Sequence, residues 1–414
     1  MKPNLSSLRV VEVATAISVP LMGEVLANLG ADVLKVESRR KLDGNRARVP
    51  AKGEATKDGL NLDESSPLWH EFNAGKRSVT LDLKSQVGLD LFLKLIKDAD
   101  LFIQNFAPGW LERAGMSGKM LLEYNPRLIM VFASGYGQDG PMSQQRVYAP
   151  IMTSLGGQEG LVGLPDGEVT GAISTAYGDF NSSYYGMPLI FGALFERERT
   201  GKGCIIDLAQ VQAVTATLGE ALVEYQITGI EPTPQGAKSA YRAPHGVFPC
   251  SGDDRWATLS IGTDQEWERL VALISKTAPD IAPGIADPRW KETRGRLAGG
   301  EELHALVSVW TARFDRTELT ELLQQNALRS APVYECDEME RDRHFIARDY
   351  TRIVQHPRVG PLEVTSTAWL FDGETVVPKS AGPGLGEQTE EILTSFAGVT
   401  AQDVAKFEKE GHLV

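Results

Sequence analysis

The chain has 414 residues, 42% of them hydrophobic and 23% charged, with a formal net charge of −13. That balance belongs to a folded, soluble protein and excludes a disordered one. An acidic surface also repels nucleic-acid backbones and anionic membranes, while leaving room for a local basic pocket that takes an anionic small molecule. The length suggests two to three domains, or one large domain with a smaller one appended. Three cysteines, Cys204, Cys250 and Cys336, lie too far apart for a zinc site or a disulfide framework, which suits a reducing compartment. No apolar run approaches ~18 residues, and Met1-Lys2-Pro3-Asn4-Leu5 opens no signal-peptide pattern. The sequence predicts a soluble cytoplasmic protein.

In chain order, Leu8–Ala14 (LRVVEVA) is short and β-branched, as a buried strand is. A helix is predicted over Pro20–Asn28, stopped by Gly30, and a strand over Asp32–Glu37. The pattern repeats with a strand at Ser78–Leu83, a helix at Val87–Asp98 and a strand at Leu101–Gln104. A helix near Lys119–Tyr124 and a strand at Leu128–Ala133 follow. Strands alternating with helices predict a parallel, doubly wound α/β sheet with right-handed crossovers. Lys52–Ser66 is polar and reads as a surface loop, and Gly135–Gly171 as glycine-rich turns. A long helix is predicted from about Asn181 to Arg199, ending at Gly201-Lys202-Gly203. A strand Cys204–Leu208 and a helix Gln210–Gly229 come next. Pro232, Pro234, Gly236 and Pro244 mark an irregular linker. A strand at Arg255–Gly262 and helices at Glu301–Phe314 and Glu318–Asn326 then suggest a smaller domain. The chain closes on helices at Gln388–Phe396 and Ala401–Glu410.

Several familiar chemistries lack their residues. The first strand-to-helix turn, Thr15–Pro20, contains no glycine to let the backbone approach a pyrophosphate, so dinucleotide binding is disfavoured. Thr200-Gly201-Lys202-Gly203 follows a helix where a phosphate loop would open one, and no G-x-S-x-G elbow occurs. The six histidines (His70, His245, His304, His344, His356, His412) show no paired ligand spacing, and no metal site is predicted. Tyr177-Gly178-Asp179-Phe180, just before the long helix, allows two readings. Asp179 is an ordinary N-terminal cap, or it is a carboxylate held ionised by the helix dipole and able to act as a covalent nucleophile.

Motifs in order carry more than any one of them. These are Leu8–Val13 (LRVVEV), Leu29–Glu37 (LGADVLKVE), Lys76–Lys84 (KRSVTLDLK), Asn105–Gly109 (NFAPG) and Gly135–Pro141 (GYGQDGP). Gly178-Asp179, Glu196–Gly203 (ERERTGKG) and Leu385–Thr389 (LGEQT) complete the series. In this order and spacing the chain resembles the class III coenzyme A transferases, the family of formyl-CoA transferase and carnitine CoA-transferase. The resemblance implies a Rossmann-like large domain built from both chain ends, a smaller α+β middle domain, and an interlocked dimer. The expected division is 1–205 for the N-terminal part of the large domain, 206–240 for a linker, 241–330 for the small domain and 331–414 for the return. It implies an acyl-CoA:carboxylate CoA-transferase with Asp179 as nucleophile, passing through a mixed anhydride and an aspartyl-CoA thioester. Coenzyme A or acyl-CoA would be substrate, with no resident cofactor or metal. The matching coenzyme A positions are Leu81, Asp82, Leu83 and Lys84, then Asn105, Phe106, Ala107 and Arg113, then Ala133, Ser134, Gly135 and Tyr136. Arg39 or Arg40 would meet the nucleotide phosphates.

The chain departs from formyl-CoA transferase at Ile17 and Ser38, where that enzyme has Gln and Arg. It departs again at Val19, Ala107 and Gln388, where glycine, arginine and histidine are usual, and in lacking a glycine-rich loop near 230–245. Ala243–Cys250 (APHGVFPC) instead points to larger acids, of succinyl or aromatic type. An α-methylacyl-CoA racemase is the alternative on this fold, but Val147-Tyr148-Ala149 stands where its second proton carrier, a histidine, would be. A third reading is one subunit of a heteromer that requires a homologous partner chain.

Overall fold

The computed structural model describes residues 4–47, 64–165, 167, 169–171 and 176–414. Six runs form one parallel sheet: β1 (Arg9–Val13), β2 (Asp32–Glu37), β3 (Arg77–Thr80), β4 (Leu101–Gln104), β5 (Ile129–Ser134) and β6 (Cys204–Ala209). Their order is β3-β2-β1-β4-β5-β6. The chain winds outward from β1 to β3, then returns to the other side of β1, so the direction of winding reverses between β1 and β4. In open α/β sheets the crevice at the carboxyl ends of the strands at such a reversal is where ligands bind.

The helices of this part are α1 (Ser18–Asn28), α2 (Pro67–Asn73), α3 (Gln86–Lys97), α4 (Gly118–Tyr124), α5 (Ala149–Leu155), α6 (Tyr177–Thr200), α7 (Gln210–Thr215) and α8 (Gly219–Thr228). Successive strand residues face opposite sides. Val11, Val13, Leu34, Val36 and Phe102 therefore enter one core with Phe92, Leu95 and Ile96 of α3. Val10, Val33, Leu101, Ile103 and Val131 enter the other with Val25 and Leu26 of α1 and Ile190 of α6. A sheet covered on both faces explains why its strands read as nearly unbroken apolar runs.

Helix ends follow local chemistry. The Ser85 hydroxyl accepts from the Gly88 amide to start α3, and α6 ends where Gly201 takes φ 73°. Three expectations about helices are corrected. The long helix starts at Tyr177 on Ala176, so Asp179 is its third residue and not its cap. Gly178 is packed against Met152 and Val214, which holds this extra turn in place. The helix expected over Gln210–Gly229 breaks at Ala216–Leu218, just before Gly219, a poor helix former. The glycine-rich stretch contains α5, opened by Pro150 in its first turn. The loop expected at Lys52–Ser66 lies mostly outside the described residues.

Chain contacts divide the molecule into two units. The first comprises Met1–Glu159, Ala172–Gly229 and Arg343–Val414; the second comprises Gly160–Gly171 and Ile230–Asp342. The second unit has an antiparallel sheet of β7 (His245–Pro249), β8 (Trp256–Ser260) and β9 (Arg329–Pro332), with helices α9 (Asp264–Thr277), α10 (Gly300–Thr311) and α11 (Arg316–Gln325). Phe248, Leu259, Trp267, Trp290 and Trp310 fill its core. Arg296 is buried there, its donors met by the Ala243 and Trp290 carbonyls (2.9 and 3.0 Å) and by Asp264 (2.8 Å).

The end of the chain returns to the first unit with helices α12 (Thr389–Phe396) and α13 (Ala401–Lys409). It covers the open edge of β3. The Ser78 amide donates to Gln388 Oε1 at 2.8 Å, the Gln388 amide to Ser78 O at 3.0 Å, and the Thr80 hydroxyl to Leu413 O at 3.0 Å. Among the described residues no helix is long and apolar enough to cross a membrane.

Candidate active site

The site begins at the turn after β1. Without a glycine in this turn, Ala16 itself adopts φ 62°, a left-handed conformation that costs about 1–2 kcal/mol outside glycine. The surroundings fix it. The Ala16 amide donates to Asp43 Oδ1 (3.1 Å), and Asn45 Nδ2 donates to Ala16 O (2.6 Å). Two lysines clamp the ends of the turn, Lys35 Nζ on Ala14 O (2.9 Å) and Lys76 Nζ on Pro20 O (2.8 Å). Glu12 joins the two lysines, each at 2.8 Å. All three side chains are fully buried, which is tolerable only because each charge is paired and hydrogen-bonded. Gly23 of α1 makes the room: a Cβ there would lie 2.0 Å from Glu12 Oε2.

From β4, Asn105 reaches across the winding reversal. Its Oδ1 accepts from the Thr15 amide (3.0 Å), and its Nδ2 donates to Thr15 O (2.7 Å) and to Ser18 Oγ (3.2 Å). Gln210, directly after β6, donates through Nε2 to the same Ser18 Oγ at 3.1 Å. Ser18 is the first residue of α1, so its amide is one of the helix's free donors.

Asp179 meets this constellation from α6. The Ser183 hydroxyl contacts both Ser18 O (2.5 Å) and Asp179 O (2.9 Å), which binds the start of α6 to the start of α1. The Asp179 side chain is half-buried. Burial pushes its pKa up from 3.8 to about 6, while hydrogen bonds from the Ser18 amide and hydroxyl pull the other way. Two helix N-termini thus converge on one carboxylate, and both favour its anion. Such a group is ionised at neutral pH yet poorly solvated, the condition of a competent carboxylate nucleophile.

The other expected positions lie along the same carboxyl edge of the sheet. Arg39 follows β2, Leu81–Lys84 follow β3, Asn105–Ala107 follow β4, and Ala133–Tyr136 end β5. Arg39, Lys84, Ala107 and Arg113 are exposed. Arg39 Nη2 touches Leu385 O at 3.4 Å, and Arg113 Nη1 touches Pro108 O at 3.3 Å. Arg40 is committed to Asp82 at 2.7 Å. Phe106 stacks on Trp110, ring centroids 5.2 Å apart. Leu81 and Ala133 are core side chains, so only their backbone can face a ligand. Asn105, for its part, is spent on Thr15 and Ser18. The sequence reading overlooked Ser18, Gln210 and the Glu12–Lys35–Lys76 cluster. The helix expected from Pro20 starts at Ser18, and no local pattern in the sequence singles that serine out.

A doubly wound α/β protein with an ionisable carboxylate at the winding reversal is the class defined by fold and site. The sequence profile of CoA-transferase family III matches residues 5–389, and the protein belongs to that family: it is an enzyme, a CoA-transferase. It is 32% identical to the succinate–glutarate CoA-transferase of Agrobacterium fabrum over 395 residues, 95% of this chain and 96% of that one. It is 31% identical over 404 residues to the succinyl-CoA–L-malate CoA-transferase alpha subunit of Chloroflexus aurantiacus, 97% of this chain and 91% of that one. The crystal structure of a CaiB/BaiF family protein from Brucella suis matches with a TM-score of 0.84 at 28% identity, covering 96% of this chain and 100% of the other.

Proposed function

We propose that the protein moves coenzyme A from an acyl-CoA to a free carboxylic acid in the cytoplasm, with Asp179 as the covalent carrier. The acids on this reading are dicarboxylic, of succinyl type, or aromatic. The observation that carries it is the Asp179 carboxylate, half-buried at the N-terminus of α6 and faced by the Ser18 donors. Its oxygen attacks the thioester carbon and expels CoA thiolate, leaving a mixed anhydride. The thiolate then attacks the aspartyl carbon, releasing the first acid and forming an aspartyl-CoA thioester. An acceptor carboxylate then attacks the aspartyl carbon of that thioester and expels CoA thiolate, giving a second mixed anhydride. The thiolate attacks the acceptor's acyl carbon, which forms the new acyl-CoA and releases the Asp179 carboxylate. Coenzyme A lies along the carboxyl edge on this reading, with Arg39, Lys84 and Arg113 as its exposed cations. The acids in the relatives' names, succinate, glutarate and malate, support the dicarboxylic choice.

The active form is an interlocked homodimer, or a heteromer with a homologous chain, on the same reading. Helix α8 buries none of its residues and exposes Val223 (53%), Tyr225 (53%) and Ile227 (79%), and α6 exposes Phe195 (78%). Apolar surface of that extent calls for a cover, and one relative is named as an alpha subunit. The test is intact-protein mass after incubation with a panel of acyl-CoA thioesters, beside Asp179→Ala, with light scattering on the same samples. An acyl or CoA adduct lost in the variant supports the reading. No adduct from any thioester, together with deuterium uptake at the α-carbon, replaces it with a racemase.

A further inference from the structure

Ser18 offers its hydroxyl in one direction only. A serine hydroxyl has one hydrogen to give and two lone pairs to accept with. Asn105 Nδ2 (3.2 Å) and Gln210 Nε2 (3.1 Å) take both lone pairs. Neither amide can be turned round. Asn105 Oδ1 must face the Thr15 amide (3.0 Å), and Gln210 Nε2 also donates to Ala133 O (3.3 Å). The hydroxyl hydrogen is left to give. The Ser183 hydroxyl ties Ser18 O (2.5 Å) to Asp179 O (2.9 Å), which sets Asp179 beside it as the carboxylate that the Ser18 hydroxyl and amide serve, and Ser18 is buried, so water does not compete.

We propose that the Ser18 hydroxyl and amide form an oxyanion site for the aspartyl carbonyl of Asp179, with Asn105 and Gln210 as the positioning residues that fix the hydroxyl. This inference rests on the reading of Asp179 as the covalent carrier. In the resting enzyme the two donors hold the carboxylate ionised. When CoA thiolate attacks the aspartyl carbon of the anhydride, a C–S bond forms and the carbonyl π pair moves onto oxygen. Both donors then face the oxygen that bears the new charge. Collapse breaks the bond to the first acid, which leaves as its carboxylate, and no proton moves at Ser18. The acceptor's attack on the aspartyl-CoA thioester passes through the same oxyanion. Donors aimed in advance at developing charge need no reorganisation during the reaction.

Among the described residues of the elements packed on α6, no charged side chain competes with Ser18 for this role. Of the elements packed on α6, α5, α7 and β5 carry none. Helix α1 carries Glu24, which accepts from Asn28. Strand β6 carries Cys204 and Asp207, the latter taking the Gln138 amide at 2.9 Å. Helix α2, which reaches Phe180 through Phe72, brings His70 and Glu71, which hold Glu64 O (2.8 Å) and the Thr365 amide (3.3 Å).

The experiment compares wild type, Ser18→Ala and Ser18→Thr with succinyl-CoA as donor, reading kcat, KM, the pH profile and adduct mass together. Removal of one oxyanion donor lowers kcat by about 10²-fold. KM stays close to wild type, the acid limb of kcat/KM moves to higher pH, and Ser18→Thr restores both readouts. Wild-type kcat and pH limb in Ser18→Ala, with the Asp179 adduct still forming, overturn the role of Ser18 alone. Absence of the adduct in wild type overturns the Asp179 reading, and this one with it. Should Ser18→Ala fail to fold, Gln210→Met frees one lone pair with Ser18 in place, and an unchanged kcat there overturns the proposal.

Discussion

Glu12 and Lys35 are register partners on adjacent parallel strands, and their side chains meet at 2.8 Å with neither exposed to water. Lys76 completes the cluster on the second Glu12 oxygen. Truncating one member of a buried ion pair leaves a charge uncompensated, at a cost of about 3–5 kcal/mol. Glu12→Leu, which takes the carboxylate from Lys76 and leaves Lys35 only Asp43 at 3.4 Å, is therefore expected to lower the denaturation midpoint more than Lys76→Met, after which Glu12 still holds Lys35. Equal losses in urea titrations would contradict the shared role of Glu12.

Glu24 supplies a pH signature. Burial pushes its pKa from 4.5 up to about 8, with Lys76 and the Asn28 amide pulling back. An acid whose pKa is higher folded than unfolded contributes stability that is full below about 4.5 and is lost as pH rises through about 8. Glu24→Gln should match wild type near pH 5 and exceed it at pH 8, measured as the difference in unfolding free energy. The steepest slope is about 1.4 kcal/mol per pH unit.

Asp179 sets activity against stability. With a pKa of about 6, its carboxylate is required ionised, so kcat/KM should fall about tenfold per pH unit well below 6. Its folded pKa is also raised, so the ionised group weakens the fold above that pH. Asp179→Asn is expected to be inactive yet more stable than wild type at pH 7.5, by thermal unfolding of the two proteins side by side.

Asn105 separates a ligand contact from a structural brace. Its amide is engaged by Thr15 and Ser18, so Asn105→Ala should cut kcat severalfold while changing KM for acyl-CoA little. A large rise in KM with kcat preserved would return Asn105 to the coenzyme A surface.

Gly203 and Gly201 differ in why they are glycine. Gly201 needs φ 73°, so Gly201→Ala costs about 1–2 kcal/mol. Gly203 sits where a Cβ would lie 1.9 Å from Leu128 O, which backbone cannot yield cheaply. Gly203→Ala should be the more destabilising of the pair in a thermal melt, although both occupy one surface motif.

The parallel sheet is legible in the sequence because burial on both faces writes each strand as an apolar run bounded by turn residues. Helix boundaries are less so: α6 begins four residues before the periodic stretch, since tight packing at Gly178 and not a capping side chain decides its start. Asp179 stands out through its place in an ordered series of motifs. Ser18 does not, because its meaning comes from Asn105 and Gln210, 87 and 192 residues away along the chain. Glu12 and Lys35 are polar interruptions within strands that otherwise read as apolar, and Lys76 lies just before β3. Only the fold reveals that all three point into the layer beneath α1.

The cover over β3 has a consequence for the chain's life on the ribosome. Ser78 waits for Gln388, a separation of 310 residues, and until then the outer strand of the sheet presents unpaired amides and carbonyls. An uncovered strand edge is a template for pairing with another chain. Nascent or prematurely terminated copies that lack residues 388–414 are thus expected to be captured by chaperones or to aggregate.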